Sequence, residues 1–208
     1  MKILALEFST LRRSAAILEI SGGNARVLDS IAQEAQRGGS PFPLLDALFK
    51  KIERDEIEGI AVGLGPGSYT GIRSSLAIAQ GWNLSRNIPA AGVSSADAIA
   101  FEAWSNGRRD EIEVVIDAQR GEVYSATYQL TEATFVTSRP LEILSKPGTL
   151  ALVGPEAKRW SVEGVEIFPS AAFIGQLAAQ MSFVSPERLD PIYLREPSFV
   201  KAPAVPLH

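Results

Sequence analysis

Two kinds of hydrophobic spacing alternate along the chain. Residues 2–8 (KILALEF) and 14–20 (SAAILEI) are aliphatic runs around a short polar turn, and SGGN at 21–24 is a second turn before ARVLDSIA at 25–32. Short aliphatic runs bounded by turn residues predict a β-meander. From Pro41 the period changes. Phe42, Leu45, Leu48, Phe49 and Ile52 recur three and four apart, which predicts an amphipathic helix over 42–52. Ser40 is placed to cap it, with Pro41 at its first position. IEGIAVGL at 57–64 reads as a buried strand, 71–86 as a helix, IPAAGVS at 88–94 as a strand and 95–104 as another helix. The order β-β-β-α-β-α is α/β architecture with a mixed sheet.

The opening pattern returns in weaker form. ILALEFSTLRRSAAILE (3–19) and VVIDAQRGEVYSATYQL (114–130) each give an aliphatic strand ending in an acid, a turn with arginine, and a second strand containing small residues. Glu7 and Asp117 occupy matching places. Spacing alone fits a duplication and a pair of unrelated hairpins equally well. Beyond Leu130 the pattern predicts short strands at 134–137, 150–153 and 165–168, a helix at 170–183 and an extended proline-rich tail. The polar cluster SNGRRD at 105–110 carries no apolar period and divides the chain into an N-terminal lobe, 1–104, and a smaller C-terminal lobe, 105–208.

Candidate chemistry centres on GPGSYTGIR at 65–73. A P-loop needs four residues between its glycines and then Lys-Ser/Thr, whereas here five separate Gly65 from Gly71 and Ile72 follows. A dinucleotide fingerprint needs a third glycine and an acid about 20 residues on. Thr70 takes that third place, and no Asp or Glu occurs between Gly59 and Ala96. What remains is a strand–loop–helix junction whose amides and hydroxyls favour an anion, with Arg73 in the first turn. The plainer alternative is that Ser68 or Thr70 only caps the helix while the glycines allow a tight turn. The helix that follows presents small or apolar residues nearly all round: Ser74, Ser75, Ala77, Ala79 and Gly81 between Ile72, Leu76, Ile78, Trp82 and Leu84. Such a helix is seldom half exposed, so its own sheet is expected on one side and the 42–52 helix with a second chain on the other.

Composition narrows the chemistry. Of 208 residues 46% are hydrophobic and 21% charged, as in a folded globular chain. A net charge of −4 argues against unaided grip on a nucleic-acid backbone. There is no cysteine, and the one histidine is His208, so thiol nucleophiles, Ser-His-acid triads and histidine metal sites lack their key residue. Glu7, Asp117 and Glu122 could hold Mg²⁺ through water, or serve as ordinary turn and salt-bridge acids. The run Ile3–Leu6 is too short for an export signal, and no stretch approaches the roughly 18 apolar residues of a membrane span. The expectation is a cytoplasmic, soluble protein.

With those residues laid out, the chain resembles the TsaB (YeaZ) family through ILALEFST, GPGSYTGIRSSLAIAQG, IDAQRGEVYSATY and PIYLREP. The resemblance implies an actin-like ATPase (ribonuclease H-like) fold of two related lobes, with mixed sheets flanked by helices. It implies a non-catalytic subunit in tRNA threonylcarbamoyladenosine synthesis. In that scheme TsaD carries the metal and the transfer reaction, TsaE joins the pair, and tRNA is met only through the complex. It further implies docking of TsaD, or of a second copy in isolation, through 42–52 and 71–86. The partner-facing residues are then Phe42, Leu45, Phe49, Arg73, Leu76, Ala77, Gln80 and Leu84. Gly65, Pro66, Gly67, Ser68, Thr70, Gly71 and Arg73 match the family's loop, and Asp117, Arg120, Glu122 and Tyr124 its second motif. No cofactor is required. If ATP or ADP with Mg²⁺ binds, the implied contacts are Glu7, Gly65, Gly67, Ser68, Thr70, Gly71 and Asp117. Two positions depart from the family: its first strand typically ends in aspartate where this one has Glu7, and an arginine–charged–histidine segment is replaced by Arg37-Gly38-Gly39. A stand-alone phosphotransferase using Glu7 and Asp117 is the enzyme alternative. The glycoprotease label attached to relatives finds neither metal ligands nor a nucleophile–base pair here.

Overall fold

The computed structural model describes residues 1–34, 39–50 and 52–195; Arg37, Gly38 and His208 lie outside them. Strands β1 (Lys2–Glu7), β2 (Arg12–Ser21), β3 (Asn24–Glu34), β4 (Gly59–Gly63) and β5 (Ala90–Val93) form one sheet in the order β3-β2-β1-β4-β5. The first three pair antiparallel, and β4 and β5 join parallel to β1. β1 is sandwiched, which is why it reads as an unbroken aliphatic run. Leu4 and Leu6 face one core and Ile3 and Ala5 the other, as the period of two demands.

Helices α1 (Phe42–Leu48) and α2 (Tyr69–Arg86) cover the first face through Leu44, Leu45, Leu48, Ile72, Leu76 and Ala79. α1 is shorter than the apolar spacing predicts, because the chain turns at Phe49. Ser40 Oγ accepts the Phe42 N–H at 3.3 Å, and Pro41 already has helical φ and ψ.

Strands β6 (Glu111–Asp117), β7 (Val123–Leu130), β8 (Phe135–Leu144) and β9 (Ala151–Val153) form a second sheet in the order β8-β7-β6-β9. The same topology has therefore been laid down twice. A fifth strand at 165–168 is not formed; a single parallel bridge, Val153 to Val165, stands in its place, and Ile167 plugs the core. β8 is longer than predicted and accommodates Pro140 because it is an edge strand.

Each sheet borrows a helix from the other half of the sequence. α3 (Ser95–Ser105), which follows β5, packs Ala96, Ile99, Ala100 and Ala103 on the second sheet, where Tyr128 donates its hydroxyl to Asp97 Oδ1 at 2.7 Å. A short helix, α4 (Ala157–Trp160), lies over Val115 and Leu152. α5 (Ala171–Ala178) returns to the first sheet and packs Ile174 and Ala178 against Ile3, Ala5 and Leu18. It is shorter than the predicted 170–183, because Val184 leaves to bridge Ala90. Phe101 of α3 meets Phe173 of α5 edge to face at 5.7 Å. The result is an α/β fold of two mixed sheets flanked by helices. Among the described residues no helix is long and apolar enough to cross a membrane.

Candidate functional site

The glycine loop packs against the β1–β2 turn of its own chain. Ser68 is the N-cap of α2; its Oγ accepts the Gly71 N–H at 3.3 Å, and its own N–H donates to the Ser9 carbonyl at 2.6 Å. A Cβ at Gly71 would collide with the Phe8 carbonyl oxygen, so glycine is required where α2 meets the β1–β2 turn. Gly65 and Pro66 are joined by a cis bond and are buried, Gly67 is half-buried, and Thr70 is exposed. Arg73 turns onto Tyr69. Its guanidinium donates to the Tyr69 hydroxyl and lies 5.0 Å over that ring.

Glu7 has no accessible surface. Its oxygens accept the Ser9 N–H at 2.6 Å and the Ser95 hydroxyl at 2.7 Å, in space left by the missing side chain at Gly63. Burial raises its pKa above the usual carboxylate range, partly opposed by the serine hydrogen bonds. As arranged, Glu7 offers no accessible oxygen to a hydrated Mg²⁺, and these residues do not fit the Mg·nucleotide that an actin-like fold suggests.

Asp117 ends β6 in a partly open setting. Its carboxylate accepts the Gln119 backbone N–H at 3.1 Å and side-chain amide at 3.0 Å, with Arg159 3.8 Å away. The Asp117 N–H donates to Glu156 at 2.9 Å. Glu156 was not anticipated from the sequence. Burial, and then the neighbouring Asp117 charge, push its pKa up to about 7. Glu122 pairs with Arg195, Arg120 adopts a left-handed backbone (φ 57), and burial raises the half-buried Tyr124. Among the described residues no group of three or more His, Cys, Asp or Glu could hold a metal ion.

An open groove lies elsewhere. α1 and α2 splay apart over a groove of about 780 Å³ lined by Pro41, Phe42, Leu45, Phe49, Ala77, Ile78, Gly81 and Trp82. Phe49 stacks on Trp82 at 5.7 Å. Arg54 and Arg86 lie over these two rings at 5.3 and 5.9 Å, and the Asp46–Arg54 and Asp55–Arg86 pairs charge the rim. Phe42 is 61% exposed and Leu84 83%. Of the partner-facing residues expected from sequence, Phe42, Leu45, Phe49 and Ala77 line the groove, while Arg73, Gln80 and Leu84 are exposed on α2. Leu76 is a correction: it points into the core beside Ile72 and Ala79, because the sheet claims that stripe of α2. Leu45 is buried in the groove floor. Trp82 and Ile78 went unselected, although an indole in a helix of small residues was a visible signal.

The family model described as TsaD: tRNA N6-adenosine threonylcarbamoyltransferase matches residues 42–188. The tRNA threonylcarbamoyladenosine biosynthesis protein TsaB of Escherichia coli (strain K12) is 29% identical over 94% of this chain and 95% of its own length. TsaB of Buchnera aphidicola subsp. Schizaphis graminum is 35% identical over 46% of each chain. A Pseudomonas aeruginosa structure described as an uncharacterized protein with similarity to peptidase YEAZ superposes with a TM-score of 0.76 at 24% identity, covering 93% of this chain and 99% of that one; it supports the fold alone. The model match over residues 42–188 and the TsaB relative aligned over 94% of this chain agree: the chain belongs to the TsaB (YeaZ) family, within the wider TsaD-type family whose model it matches.

Proposed function

We propose that this chain is a non-catalytic docking subunit in tRNA threonylcarbamoyladenosine synthesis, holding and activating a TsaD-type transferase through the α1–α2 groove, with TsaE joining the pair. The observation that carries this reading is the groove itself, with its exposed Phe42 and stacked Phe49–Trp82 floor, and the exposed Leu84 further along α2, which together have the make-up of an interface. In isolation the same face supports pairing of two copies. A net charge of −4 leaves tRNA to be held chiefly by the partner, in the cytoplasm. The phosphotransferase alternative would require a metal-facing Glu7, and its burial speaks against that.

The test is reconstitution with the cognate TsaD and TsaE, scoring tRNA modification with and without this chain. Leu84→Asp and Ala77→Arg are expected to abolish co-purification with TsaD and the stimulation, with the melting temperature unchanged. Wild-type association by both variants would overturn the proposal.

A further inference from the structure

Residues 190–195 run as a strap from the first lobe to the second. The Ile192 N–H donates to the Leu64 carbonyl at 2.9 Å. The Tyr193 ring stacks on Tyr69, the first residue of α2, at 5.0 Å with 29° between planes. Arg195 then pairs with Glu122 in the β6–β7 turn. Leu194 sits between these two anchors and is 42% exposed, beside Tyr193 at 41% and Tyr69 at 54%. Tyr69 also opens the exposed stripe of α2, because Arg73, Ala77, Gln80 and Leu84 follow it at spacings of four, four, three and four. The strap thus continues the docking stripe at its N-terminal end.

We infer that Tyr193 and Leu194 form the far end of the partner-binding face, so that the TsaD-type chain is gripped on α2 and on the strap at once. This rests on the docking function proposed above. The chemistry favours a protein over RNA. Tyr and Arg are interface-enriched residues and Leu194 adds exposed apolar surface, whereas the local cations are already engaged, Arg195 by Glu122 and Arg73 by Tyr69. Anchoring on both sides of Leu194 also means that little ordering remains to be done on association. Arg195 and Glu122 are positioning residues that hold the apolar pair against α2.

The experiment is calorimetric titration of the full chain with its cognate TsaD. Leu194→Asp is expected to raise Kd at least about tenfold without moving the unfolding midpoint, as covering an unpaired charge with the partner requires. Arg195→Ala is expected to raise Kd by a smaller factor, and the swap Arg195→Glu with Glu122→Arg to restore it. If Leu84→Asp weakens binding while Leu194→Asp binds like wild type, the strap is not part of the face and the docking reading survives. If neither variant weakens binding, both readings fall. If Leu194→Asp alters only self-association of the isolated chain in sedimentation, the strap contacts a second copy and the inference is overturned.

Discussion

Glu7 and Glu156 are carboxylates that folding makes harder to ionise, and the sign of the effect can be tested. A group whose folded pKa is raised contributes fully to stability below its unfolded value and loses that contribution as pH rises through the folded value. For Glu156 the window runs from the ordinary 4.5 to about 7. Stability of the wild-type chain is therefore expected to decline across that window, and Glu156→Gln, which keeps an acceptor for the Asp117 N–H, to reduce the decline. Since Glu156 is only partly buried, the variant should gain about 1 kcal/mol at pH 8, read from urea midpoints at several pH values; an unchanged slope would exclude Glu156 as its source. Glu7→Ala is expected to cost about 2–4 kcal/mol, because the Ser9 and Ser95 donors lose their acceptor inside the core. The Glu7–Asp117 correspondence was legible in the sequence, since each acid ends a recognisable strand. Glu156 was not, because its partner lies 39 residues away and only the β6–β9 pairing brings them together.

At the scale of the element, α2 shows what a pattern of small residues conceals. Ser and Ala occur on every side of it, so the sequence offers little contrast between the stripe the sheet takes and the stripe left outside. Ile72, Ser75, Leu76 and Ala79 go inward, and Ala77, Gln80 and Leu84 remain out. Leu76→Asp and Leu84→Asp should therefore behave in opposite ways. The first puts an unpaired carboxylate into the core and is expected to cost more than about 3 kcal/mol; the second should leave the thermal melt unchanged. Circular dichroism melts of the two variants decide it, and equal midpoints would mean the stripe has been misassigned. Strand positions were easier to read because β1 carries aliphatics on both faces and β6 carries Ile112, Val114 and Ile116 in alternation. The missing fifth strand of the second sheet could not be foreseen, because Val165–Phe168 has strand composition and only tertiary context withholds its partners.

For the whole molecule, the duplication goes further than the hairpins reveal. Gly154-Pro155-Glu156 follows β9 as Gly65-Pro66-Gly67-Ser68 follows β4, and α5 stands to the second sheet as α3 stands to the first. Because those two helices are exchanged, neither half closes its core alone. Ile174→Ala in α5 is expected to lower stability by about 2–4 kcal/mol and to shift one cooperative calorimetric transition. Two separated transitions would show that the halves melt independently. The exchange also sets an order of events during translation. When the ribosome has finished β5, all five strands of the first sheet exist, yet the surface bearing Ile3, Ala5 and Leu18 has no cover until Ala178 has emerged. For that interval the nascent chain carries an oily sheet face, and aggregation during synthesis is the hazard this order of events creates.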